Sequence, residues 1–108
     1  MRLLNESNWE SEIARSPNLV ILIFSAPWCG PCKAMEPFLE ELDRIYTNVD
    51  FFKLNIDECP ELAHSQRVGG VPTFKFIKHG EQLRTQVGAI NPSQLESQIR
   101  SLLDNPKM

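Results

Sequence analysis

The sequence predicts an α/β domain built on a mixed central sheet of four to five strands flanked by four helices. Three observations predict it. Over residues 19–56 an apolar run, an amphipathic helix and a second strand-like segment follow one another, which implies a parallel pair with a right-handed crossover. Near the C-terminus, two strand-like segments separated by a short turn signal must pair antiparallel. The remaining segments show apolar residues at helical spacing, enough to cover both faces of a sheet. A chain of 108 residues suits one core and is too short for two, so residues 1–108 are read as a single domain.

The elements follow in order. Arg2–Leu4 is a candidate first strand. Ser7, with Glu10 three residues on, has the pattern of a capping box, and Trp9, Ile13 and Ala14 recur at helical spacing, so a short helix is expected over residues 7–15, stopped by Pro17. Leu19–Ser25 is continuously apolar and β-branched, as in a strand covered on both faces. Two prolines and a glycine end it within residues 26–31. From Cys32 to Tyr46, an apolar stripe of Met35, Phe38, Leu39, Leu42, Ile45 and Tyr46 makes an amphipathic helix, with a kink expected at Pro37.

Val49–Ile56 reads as a strand and Pro60 to Gln66 as a short helix ended by Gly69-Gly70. Thr73–Lys78 and Leu83–Val87 form a hairpin around residues 79–82. Asn91 caps a last helix with Pro92 at its first position and Leu95, Ile99, Leu102 and Leu103 as its stripe; the polar tail Asp104–Met108 is expected to fray.

Composition narrows the function. Apolar residues make up 42% and charged residues 23%, which excludes disorder. Eleven Lys and Arg stand against fourteen Asp and Glu, a net charge of −3, so a nucleic-acid partner is not expected. The longest apolar run, Leu19 to Phe24, is far short of the roughly 20 residues of a membrane span. The first residues turn polar at Asn5, unlike a signal peptide, so a cytoplasmic protein without a membrane partner is expected.

Three cysteines, Cys29, Cys32 and Cys59, are too few for a secreted disulfide framework. Two of them lie in Trp28-Cys29-Gly30-Pro31-Cys32, between a buried strand and a long helix. The first N–H groups of a helix lack internal partners and its dipole is positive there, so a thiolate at Cys29 is stabilised and ionises more easily than a free cysteine. Cys32, one turn further in, is expected to be more buried and to hold its proton longer. Pro31 costs little in a first turn, Gly30 lets a partner approach, and Trp28 adds an amphipathic surface.

The mechanism this suggests is attack by Cys29 on a partner's disulfide, then attack by Cys32 on Cys29, which releases the reduced partner. A purely structural pair is the bland rival. A Cys₃His zinc site from Cys29, Cys32, Cys59 and His64 is the sharper one, disfavoured because there is no second knuckle-like pair; no metal or cofactor is expected.

The chain resembles the thioredoxin family over nearly its whole length. The resemblance rests on Phe24, Ala26, the WCGPCK run 28–33, Pro37, the KLNID run 53–57, Gly70-Val71-Pro72-Thr73, Gly80 and Val87-Gly88-Ala89. It implies the thioredoxin fold, with Cys29 attacking and Cys32 resolving. It also implies a cis Val71-Pro72 bond and an apolar surface of Trp28, Gly70, Val71, Pro72, Gly88 and Ala89, where an extended segment could bond the Val71 backbone. The Gly-Pro between the cysteines resembles reducing members. The implied partners are disulfide-containing proteins and a thioredoxin reductase, and the implied state is a monomer.

Ile23 departs from the family pattern. Family members usually carry a buried aspartate six residues ahead of the attacking cysteine, which assists proton movement at the resolving one. With Ile23 there, a slower or specialised reductase is expected, and a thioredoxin-fold interaction module is the alternative; Ile23→Asp should raise turnover. Lys53, the usual neighbour of that aspartate, then either points to solvent or favours a Cys32 thiolate. Ser25 stands where the family often has Trp.

The other candidates take bland readings. Cys59 is a spectator thiol rather than a regulatory one, and His64 and His79 are solvated. Trp9, Phe51, Phe52, Phe74 and Phe76 are core. Glu36, Glu40, Glu41 and Asp43 form a solvated helix face.

Overall fold

The computed structural model describes residues 1–104; residues 105–108, most of the tail expected to fray, lie outside the described residues. In chain order the elements are β1 (Arg2–Leu4), α1 (Trp9–Arg15), β2 (Leu19–Ser25), α2 (Gly30–Ile45), β3 (Val49–Asn55), α3 (Pro60–Ser65), β4 (Thr73–Lys78), β5 (Glu81–Val87) and α4 (Pro92–Leu103). The five strands form one sheet in the order β1-β3-β2-β4-β5. β1 and β2 run parallel to β3, with Leu19 opposite Val49 and Ser25 opposite Asn55. β4 lies antiparallel to both β2 and β5. The mixed sheet and the expected pairings are as read from the sequence.

β2 has a strand on either side and a helix layer on each face, which explains its unbroken apolar run. Its side chains alternate between two cores. Leu19, Ile21 and Ile23 pack with Met35, Leu39 and Leu42 of α2, with Phe51, Phe74 and Phe76, and with Leu95, Ile99 and Leu102 of α4. Val20, Leu22 and Phe24 pack with Leu4, Ile13, Phe52, Leu54 and Leu62 under α1 and α3, with Trp9 against them. Each such side chain contributes about 1.5–3 kcal/mol when fully buried.

Several local expectations need correction. Ser7 and Glu10 do not make a capping box. α1 starts at Trp9 with Asn8 as its N-cap, which makes no side-chain cap bond. Two reciprocal bonds close the turn before the helix: Asn5 Oδ1 accepts from the Asn8 N–H at 3.1 Å, and Asn8 Oδ1 accepts from the Asn5 N–H at 2.8 Å. α2 begins at Gly30 rather than Cys32, because Gly30 and Pro31 occupy first-turn positions that need no N–H. It runs on as helix through Pro37.

Phe38 and Ile45 leave the buried stripe of α2 and are 48% and 53% exposed. Phe38 lies about 100° round the helix from Leu39 and opens onto the groove toward α4 instead of the sheet. α3 is stopped by Arg67, not by the glycines. At φ 58° its N–H donates to the His64 carbonyl at 3.0 Å, and the Val68 N–H reaches the Ala63 carbonyl at 2.9 Å, a Schellman closure with arginine in the left-handed position. β5 starts two residues early, leaving a two-residue turn, His79-Gly80, with φ of 52° and 80°.

Candidate active site

The site sits where β2 ends and α2 begins. Cys29 is the N-cap of α2, and its Sγ accepts the N–H of Cys32 at 3.1 Å, as a serine or aspartate oxygen would. The i, i+3 spacing brings the Cα atoms of Cys29 and Cys32 to 5.3 Å, and the two form a disulfide. Cys32 is no deeper than its partner: both are 4% exposed, packed with Ala26, Ile56 and Val71, because the bond holds both sulfurs against the same loop.

Three chain segments close round this pair. The Val71-Pro72 bond is cis and sets the Val71 carbonyl oxygen 3.7 Å from Cys29 Sγ. The Pro72 carbonyl in turn accepts the N–H of Gly88, at φ 86°, over 2.8 Å, so the end of β5 is tied to the same point. Gly70, whose carbonyl accepts from the Thr73 hydroxyl at 2.6 Å, and Ala89 are exposed beside it. A Cβ on Gly30 would meet nothing within 4 Å, so that turn is open to a partner. Trp28 is 66% exposed, and its indole N–H donates to the two Asp57 carboxylate oxygens at 3.2 and 3.1 Å.

The inner side of α2 carries the departure at Ile23. Ile23 is buried in register with Lys53 on β3 and Phe74 on β4. Lys53 neither points freely to solvent nor stands alone: its Nζ donates to Glu36 Oε1 at 2.5 Å. Glu36 is therefore half-buried and paired, unlike the solvated face first assigned to it. Glu40 and Glu41 are exposed, as expected of a solvated face, while Asp43 is half-buried; Glu40 and Asp43 pair with the Met1 ammonium and Glu41 with Arg44.

Cys59 lies apart, in the α1–α3 core, and burial followed by the nearby Glu6 charge pushes its thiol up. His64 is exposed, and among the described residues the Cys₃His set is not assembled.

Sequence reasoning assigned no site role to Asp57 or to Val87, which is 64% exposed at the end of β5, and read Glu36 only as a solvated charge. Asp57 was within reach: pairing β2 with β3 in parallel puts the residues following each strand at the same sheet edge, which sets residue 57 beside the motif.

The chain as a whole is similar to known proteins. The Thioredoxin family model matches residues 1–101. The chain belongs to the thioredoxin family. Thioredoxin-2 of Saccharomyces cerevisiae is 36% identical over 100 residues, covering 93% of this chain and 95% of the relative. Thioredoxin M-type, chloroplastic, of Brassica napus is 37% identical over 102 residues, 94% of this chain, and the chain spans 58% of that relative's length. The crystal structure of a poplar thioredoxin h superposes with a TM-score of 0.90 at 32% identity, covering 96% of both chains. The fold is thus the thioredoxin fold. Among the described residues, no helix is long and apolar enough to cross a membrane.

Proposed function

We propose that this member of the thioredoxin family is a thiol–disulfide oxidoreductase that reduces disulfides in partner proteins through a reversible Cys29–Cys32 dithiol. The hydrogen bond from the Cys32 N–H to Cys29 Sγ carries the reading. A helix N-terminus that already donates to this sulfur stabilises it as a thiolate, and the thiolate is the attacking form. Cys29 attacks the partner's disulfide and joins one sulfur while the other leaves. Cys32 then attacks Cys29, the mixed disulfide breaks, and the reduced partner departs with both electrons.

The partner lies across Trp28, Gly30, Pro31, Gly70, Val71, Pro72, Gly88 and Ala89, with an extended segment bonding the Val71 backbone beside Cys29. Ile23 and Lys53 shape the side of the site behind the cysteines. A thioredoxin reductase returns the pair to the dithiol. The protein acts as a monomeric single domain, residues 1–108, in the cytoplasm, where a reducing dithiol has its electron supply.

Insulin reduction coupled to a thioredoxin reductase tests the activity, and alkylation of the reduced protein against pH tests the assignment. We expect turnover, with Cys29 labelled at lower pH than Cys32. Absence of turnover would leave a binding fold alone, and a Cys29 slower than Cys32 at neutral pH would reverse the roles.

A further inference from the structure

For Cys32 to resolve the mixed disulfide, its thiol must lose a proton, yet it is 4% exposed and cannot hand that proton straight to bulk water. The structure offers a way out on the inner side of α2. A cavity of about 240 Å³ lies there, lined by Leu3, Ser25, Ala26, Lys33, Glu36 and Lys53. It has room for several waters, and although Leu3, Ala26 and Pro27 make much of its wall apolar, Ser25, Glu36, Lys53 and Asn55 offer polar partners to hold them. Ala26 belongs to both places, packing against Cys32 and forming part of the cavity wall. Glu36 stands four residues after Cys32, so the two are neighbours on the helix surface. Its carboxylate is fixed by Lys53 Nζ at 2.5 Å, on the face of β3 that looks toward α2.

We propose that Glu36, through water in this cavity, accepts the proton of Cys32 during resolution. In the mixed disulfide, the Cys32 thiol gives its proton to the Glu36 carboxylate. Its electron pair forms the Cys32–Cys29 bond. The bond from Cys29 to the partner sulfur breaks, and that pair leaves on the partner as a thiolate. The proton on Glu36 passes to this thiolate or to solvent through the open mouth of the cavity. Protons and electrons balance without a further reagent.

The charged groups near Glu36 are Lys53 from β3, and Lys33 and Glu40 from its own helix, Glu40 being paired with the Met1 ammonium. β2 brings Ile23 and Ser25 to this face and β1 brings Leu3, none of which titrates. Glu36 is the carboxylate among the residues lining this cavity.

The inference rests on the oxidoreductase reading, and one stopped-flow experiment separates the two. Reduced protein is mixed with excess dithiobis(nitrobenzoate). The first thionitrobenzoate released reports attack by Cys29; the second reports resolution by Cys32. Absence of the first phase would sink the oxidoreductase reading itself. With Glu36→Gln we expect the first phase to stay within about two-fold and the second to slow at least about tenfold near pH 7, the range of general-base assistance. The gap should close as pH rises and Cys32 ionises unaided. Glu36→Asp should recover part of the rate. Lys53→Met, which keeps the carboxylate but removes its anchor, should slow the second phase less than Glu36→Gln does. A second phase unchanged in Glu36→Gln, or slowed equally at every pH, overturns the proposal.

Discussion

The indole N–H of Trp28 donates to Asp57, and this one contact joins the residue before the attacking cysteine to the loop after β3. An aromatic that is 66% exposed would otherwise sample several rotamers over the site. Asp57→Ala should free the ring. We expect lower steady-state anisotropy of the exposed tryptophan and a KM for a protein disulfide raised about three-fold, with kcat little changed, since ordering one side chain is worth about 0.5–1.5 kcal/mol in binding. Unaltered anisotropy would show that the ring is held by something else.

Arg67 holds a left-handed conformation at the end of α3, a position where glycine escapes the steric cost. Arg67→Gly should raise stability by about 0.5–1 kcal/mol, less than the full steric cost because glycine also loses more entropy on folding. Urea denaturation measures it, and a lower midpoint would contradict the closure described.

Ile23→Asp places a carboxylate among Met35, Leu39, Phe51 and Phe74. Turnover should rise, because a second proton acceptor then lies behind Cys32. Stability near pH 7 should fall by about 3 kcal/mol. Burial raises the folded pKa of the new acid above its unfolded value, so the folded protein binds more protons and the loss grows as pH rises. Denaturation midpoints at several pH values, alongside insulin turnover, check both signs.

The Cys59 thiol is pushed up from its ordinary value of 9.0, chiefly by burial. A raised folded pKa means its stability contribution is intact below about pH 9 and is lost as pH climbs through the folded value. With Cys29–Cys32 oxidised, the wild type should lose stability above pH 9 faster than Cys59→Ala does, and Cys59 should be the slowest of the three thiols to alkylate in the reduced protein. Parallel curves for the two proteins would remove Cys59 from the account.

Tyr46 donates to Glu96 at 2.6 Å, tying the end of α2 to α4, and this bond followed by the Arg100 charge holds the Glu96 carboxyl below its ordinary 4.5. A depressed folded pKa gives stability that is present above about pH 4.5 and vanishes as pH falls through the folded value. Tyr46→Phe should therefore lower the melting temperature at neutral pH and differ less from wild type in acid. An equal difference at both would assign the loss to packing alone.

Much of this molecule was readable in advance because its signals are periodic. β2 is apolar from Leu19 to Phe24 since both its faces are covered, and Leu95, Ile99 and Leu102 recur at helical spacing because one side of α4 is buried. The errors lie where a residue's role depends on a neighbour remote in sequence. Phe38 matches the apolar pattern of α2, yet its angular position leaves it at the rim once α4 is in place. Glu36 reads as one more charge on a polar helix face until β3 brings Lys53 to it.

The sequence alone determined the order of elements, the burial of β2 on both faces and the placing of two thiols one helical turn apart, all properties of hydrophobic periodicity and local backbone chemistry. Only the tertiary structure decided which carboxylates matter, setting Asp57 on Trp28 and Glu36 on Lys53. Charges on a chain carry no mark of their partners; register between strands and the seating of a helix on a sheet assign those partners, because an ion pair forms only between groups that packing has already brought within a few ångströms.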